Sequence, residues 1–204
     1  MKTRNDGRQA LIEAAIDSIA VHGVARTHPK DLTDALGLSK SLVNFHFDGR
    51  DGLMAEAIAT AFERHVDGLS LAVLSAGPDP MARLIAWIDA FLTWSATHPG
   101  LMAATAFPDV TPGTDGVHDG SATRFTAATL ARWDGLCGLI LEAVGTAGGR
   151  STVGPNASSD IVDDPGITVW WFLQGAAVSA ASRPDQLEMI RETVLSRLPA
   201  LLAS

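Results

Sequence analysis

The chain has 204 residues, with a hydrophobic share of 47% and a charged share of 19%, so it can bury a core without disulfides or metals. Cys137 is the single cysteine, which excludes an internal disulfide framework and suits a reducing compartment. No apolar run approaches the roughly 18 to 20 residues that cross a bilayer, and the opening MKTRNDGRQA lacks the apolar stretch of a signal peptide, so a cytoplasmic protein with no membrane partner is expected.

The formal net charge of -8 argues against a chain that binds polyanions over its whole surface, but the charge is unevenly spread. Residues 1–50 hold seven basic groups against six acidic ones, and Lys2, Lys30 and Lys40, all the lysines of the chain, lie in its first fifth.

Helical spacing dominates from the start, and no strand alternation competes with it. Leu11, Ile12, Ala15, Ile16 and Ile19 recur at steps of one, three and four, and Gly23 supplies a stop. A second helix is expected from Thr27, whose hydroxyl would cap it, with Pro29 in the first turn and Leu32, Ala35 and Leu36 inward. Gly37 permits a left-handed turn, Leu38 fills the corner, and Ser39 caps a third helix to about His46. A long amphipathic helix follows over 51–75, with Leu53, Met54, Ala57, Ile58, Ala61, Phe62, Val66 and Leu69 on one side. Further helices are expected at 80–97, 100–107, 122–146, 166–182 and 184–202. Gly, Pro, Asp and Ser make loops of 107–121 and 145–160.

A helix, a glycine-containing turn and a second helix form the pattern of a helix-turn-helix, whose second helix enters the major groove of DNA. Val43 and Phe47, four apart, anchor that helix, leaving Lys40, Ser41, Leu42, Asn44, Phe45 and His46 to face outward. Lys40 suits phosphate, Ser41 and Asn44 can hydrogen-bond bases or backbone, and Leu42 can meet a thymine methyl. His46 and Arg50 sit beside the next helix start, where backbone amides attract phosphate. Thr27, Lys30 and Ser39 complete the set of candidate DNA-facing residues.

The segment TRNDGRQALIEAAIDSIAVHGVARTHPKDLTDALGLSKSLVNFHFDGRDGLMAEAI resembles the N-terminal DNA-binding domain of the TetR (tetracycline repressor) family of bacterial transcriptional regulators, most closely over residues 8–58. Gly37, Ser39, Lys40, Val43, His46, Phe47 and Leu53 follow that family's pattern in type and spacing. Three positions depart from it: Asn44 where a DNA-touching tyrosine is usual, Leu42 where threonine is common, and Thr33 where a small alanine packs between the helices.

The resemblance implies an all-α protein: a three-helix DNA-binding domain at 1–50, then a helical regulatory, ligand-binding and dimerisation domain at 51–204. It further implies a repressor that binds a palindromic duplex operator as a homodimer and is released by a small-molecule effector. In the second part large apolar groups concentrate, as a small-molecule site requires: Trp87, Phe91 and Trp94, then Met102, Phe107, Trp133 and Cys137, then Trp170 with its neighbours Trp171 and Phe172. These predict an apolar or aromatic effector, with His98 or Gln174 as polar anchors. Plain core packing is the alternative for any one of them. Gly175, Ala176, Ala177, Ser179 and Ala180 are small enough to admit another helix, as in that family's four-helix dimer interface.

Enzymatic chemistry finds little support. Asp160, Asp163 and Asp164 have the look of an aspartate-rich magnesium motif, but no second carboxylate cluster accompanies them, and Pro165 and Gly166 follow at once. No P-loop, nucleophile elbow or paired zinc ligands occur, and neither a metal nor a cofactor is expected. An interaction protein whose helix-turn-helix has lost DNA is the remaining alternative.

Overall fold

A computed structural model describes residues 4–106, 132, 135–136, 138–139 and 165–202, and the described residues are helical with no strand. The expected helix at 122–146 lies mostly outside them, as do the expected loops at 107–121 and 145–160. The chain divides into two compact units, with the first boundary inside a helix, between Arg64 and His65, and the second between Thr97 and His98.

The first unit is built on α1 (Arg4–His22), whose Leu11, Ile12, Ala15, Ile16, Ile19 and Ala20 are all buried. A single 3-10 turn, Val24–Arg26, leads to α2 (Pro29–Leu36), then α3 (Ser41–Phe47) and α4 (Arg50–Ser75). The predicted corner after α2 is a full Schellman ending. Gly37 takes the left-handed conformation at φ 64°, its N–H donates to the Asp34 carbonyl, and the Leu38 N–H donates to the Thr33 carbonyl at 2.8 Å.

Two expectations for α2 are corrected. Its N-cap is His28 with no side-chain cap bond, while Thr27 is completely buried and its hydroxyl donates back to the Gly23 carbonyl at 3.0 Å and bonds Ser18 Oγ at 2.9 Å. The inward residues are Leu32 and Thr33, with Ala35 exposed. Thr33 fits where alanine is usual because its hydroxyl donates to the Lys30 carbonyl of the preceding turn at 3.0 Å, so no buried polar group is left unpaired.

The first half of α4 is clamped onto α1 by Arg8 with Glu56, and by Arg64, which donates two hydrogen bonds to Glu13 at 2.6 and 2.7 Å. These bonds hold the Glu13 carboxyl down at about 2, against a smaller opposing effect of desolvation. The first turn of α4 lies flush on the end of α3: a methyl group at Gly52 would stand 1.6 Å from the Phe47 carbonyl oxygen. A short helix, α6 (Pro99–Ala106), belongs to this unit and packs on α1, where a methyl at Gly100 would meet the Ile19 carbonyl oxygen at 1.8 Å.

In the second unit α5 (Pro80–Thr97), α7 (Pro165–Ser182) and α8 (Leu187–Leu202) pack on one another. Asp79 opens α5 by accepting from the Ala82 N–H at 2.7 Å, with Pro80 in the first helical position where its missing donor costs nothing. Leu84, Trp87, Ile88, Leu92, Leu173 and Leu198 are among the side chains fully removed from water. Arg191 of α8 ties back to α5, 2.9 Å from Asp89 and 3.3 Å from the Thr93 hydroxyl. Residues 184–186, expected within the last helix, form a separate 3-10 turn that begins on Pro184.

Replacing Gly52 with Ala should destabilise the protein by about 1–3 kcal/mol or more, because backbone on both sides must move. Gly68→Ala, in the same helix with nothing within 4 Å of the new methyl, should instead stabilise by about 0.5–1 kcal/mol. Urea denaturation of the two variants distinguishes the contact from a general effect of glycine.

The Glu13 carboxyl, lowered from the usual 4.5 to about 2, contributes stability that is present above pH 4.5 and is lost as the pH falls towards 2. Both partners are more than a third exposed, so the pair is worth at most about 1 kcal/mol. Glu13→Gln should be less stable than the parent by that amount near neutral pH. Denaturation curves taken across the acid range should show the gap closing within that window.

Candidate nucleic-acid interface

α3 has only seven residues and is oriented by its two buried ones. Val43 and Phe47 are 3% and 6% exposed, α3 packs on α1, and the Arg8 guanidinium lies over the Phe47 ring at 5.3 Å. The expected cap at Ser39 is corrected: the N-cap of α3 is Lys40, with no side-chain cap bond, while the Ser39 hydroxyl lies outside the helix, accepting weakly from the Ser41 N–H at 3.4 Å and bonding the Ser41 hydroxyl at 2.8 Å. With that face fixed, Lys40, Ser41, Asn44 and Phe45 are exposed, and Leu42 and His46 are half-buried.

Pro29, Lys30, Lys40, Val43, Asn44 and Arg50 line an open cleft of about 270 Å3 between the start of α2 and the flank of α3. Lys30 stands 3.5 Å from Asp34 one turn along, an exposed pair that a phosphate could replace at little cost. The cleft thus gathers cationic side chains around an apolar floor, with the amide of Asn44 at its edge.

Two predicted members play a different part. Thr27 is internal, with both its hydroxyl and its N–H bonded within the corner. Arg50 is held by the protein itself: its Nη2 donates to the Val24 carbonyl at 2.6 Å and its Nε to the Thr27 carbonyl at 3.4 Å, with Asp51 also at 3.4 Å. The guanidinium therefore joins the start of α4 to the loop before α2, and the helix-turn-helix is braced across its ends.

Residues 11–57 match the family model described as bacterial regulatory proteins, tetR family. That segment is a tetR-family helix-turn-helix, the DNA-binding part of a transcriptional regulator. Similar solved structures include a tetR-family transcriptional regulator from Streptomyces coelicolor, at 17% identity and a TM-score of 0.62 over 99% of this chain and 82% of that one. Another is the fatty acid degradation regulator FadR from Bacillus halodurans, at 13% identity and 0.61 over 92% and 94%. At such identities what is shared is the all-α tetR fold. No curated protein matches the chain.

The candidate effector residues fall into three groups. Trp87, Phe91, Trp94 and Trp170 come together in the second unit: Trp87 is completely buried and stacks on Phe91 at 5.1 Å, and the Trp170 ring is 6.2 Å from Trp87. Gln174, one turn beyond Trp170, buries its Oε1 without a hydrogen-bond partner among the described residues. Met102, buried, and His98, half-buried, belong to the first unit. Phe107, Trp133 and Cys137 lie outside the described residues.

His65, which sequence reasoning passed over, is 6% exposed and stacks on Trp94 at 3.9 Å with Phe91 at 5.9 Å. Its spacing of three and four from Phe62, Ala61 and Leu69 already put it on the apolar side of α4, but its polarity masked it. Trp171, by contrast, is 65% exposed and stands apart from the apolar concentration to which its sequence neighbours belong.

Arg50→Ala should lower stability by about 1–3 kcal/mol, since two carbonyls lose a charged donor, whereas Lys40→Ala should leave it within about 0.5 kcal/mol. Denaturation in the absence of DNA separates these roles; equal stability of the two variants would return Arg50 to the DNA-facing set.

Proposed function

We propose that the protein is a ligand-responsive repressor that binds a palindromic operator as a homodimer and is released from it by a small apolar or aromatic effector. DNA binding is assigned to residues 1–50 and regulation and dimerisation to residues 51–204.

The observation that carries this reading is the outer face of α3, polar and cationic around the open cleft while its other face is locked by Val43 and Phe47. Lys30 and Lys40 suit phosphate, and Ser41 and Asn44 suit base edges. A helix of seven residues reads few base pairs, so two copies are needed for a useful site. Trp171 and Val178 on α7 and Met189 on α8 are exposed apolar groups that a second copy would cover, with Gly175 and Ser179 admitting close approach. Ala177 and Ala180 are buried within the chain and are left out of that face.

For the effector, the aromatic cluster and the unpartnered Gln174 carbonyl favour a ligand with an apolar body and a hydrogen-bond donor. α4 is a single helix with residues in both units, so a ligand that prefers one tilt of it would change DNA affinity without touching DNA. Coupling of about 1–3 kcal/mol corresponds to roughly five- to 150-fold in operator affinity.

Selection from random duplexes with the purified protein should return a palindrome whose half-sites are spaced by about 34–36 Å or a multiple of it. On that duplex Lys40→Ala should weaken binding and reduce the salt slope by about one, the value for one lost phosphate contact. Failure to enrich any sequence would sink the repressor reading.

A further inference from the structure

Phe45 is 58% exposed on a seven-residue helix whose other exposed members are polar. At about 100° per residue, Val43 and Phe47 are separated by roughly 40°, and Phe45 falls about 180° from their midline. It is the pole of the outer face, the side chain that reaches furthest into whatever groove the helix enters. Its ring is also held: it meets the His46 ring edge to face at 4.8 Å and 82°, and His46 in turn meets the buried Phe47 at 6.0 Å. A run of three rings thus props an apolar group outward from the core, where solvation alone would favour a polar one.

A phenyl ring neither donates nor accepts a conventional hydrogen bond, so it cannot take phosphate or read the amine, carbonyl and ring-nitrogen groups of the base edges. The apolar feature of the major groove is the C5-methyl of thymine. Resting on the DNA-binding reading above, we infer that Phe45 is a specificity-determining residue that packs against a thymine methyl at one position of each operator half-site.

The test uses the duplex recovered by selection with the full-length protein. Each thymine of a half-site is replaced in turn by deoxyuridine, which removes the methyl and keeps base pairing and every polar group. At one position the parent protein should lose roughly fourfold in affinity, the transfer value of one buried methyl-sized group. Phe45→Ala should bind the parent duplex more weakly, with the salt slope unchanged, and should be indifferent to that same replacement. Phe45→Leu, which keeps an apolar tip, should retain part of the discrimination.

The inference is overturned if no single deoxyuridine position weakens the parent, or if one does so equally in Phe45→Ala. If selection yields no preferred duplex at all, the DNA-binding reading fails first and this assignment falls with it. A recovered duplex with no thymine effect would defeat the Phe45 assignment alone.

Discussion

A seven-residue helix has no independent stability in water, because the cost of forming the first turn is barely met before the helix ends. Everything α3 presents therefore depends on Val43 and Phe47 being buried in the first unit. That packing is reinforced from three sides: α1 lies beneath, the Arg8 guanidinium covers the Phe47 ring, and the first turn of α4 closes on the Phe47 carbonyl at a distance only a glycine allows. Arg50 then joins the start of α4 to the loop before α2. The outer face of α3 is held in place by contacts made by residues that face away from it.

This arrangement reconciles an acidic chain with a DNA-binding role. The charges that matter are few and local, and neutral or apolar side chains carry much of the outer face. Lys30 and Lys40 both line the cleft, while two other basic residues of the first unit are engaged by the protein's own acids: Arg8 by Glu56 and Arg64 by Glu13. Net charge is a poor guide where cations are committed to such braces. Their position relative to one short helix is the better one.

The second unit follows a different logic. Its centre is aromatic, with Trp87 stacked on Phe91 and His65 stacked on Trp94, and its polar ties sit at the margin, where Arg191 bridges α8 to α5. Burial of Trp87 removes it from water entirely, so a ligand would reach it only if neighbouring side chains moved. The exposed apolar groups of α7 and α8 lie on separate positions from the buried ones, which divides these helices into an internal face and an outward one.

Amino-acid order alone determined the helix class, the order of the short helices and the left-handed corner at Gly37, because apolar spacing and the need for a residue tolerant of positive φ are local properties. It also showed which side of α3 faces inward, since two large apolar groups four apart leave little choice. What needed the tertiary structure was the fate of polar groups that can bond either solvent or protein. Thr27 reads as a cap and Arg50 as a phosphate ligand in the sequence, yet both are claimed by carbonyls of the corner that only the fold brings within reach. His65 shows the reverse case, a polar residue turned inward by its helical position and kept there by stacking on an aromatic that lies 29 residues further on. Hydrophobic periodicity survives translation into structure because burial is non-specific, whereas a hydrogen bond depends on one particular partner at one particular distance.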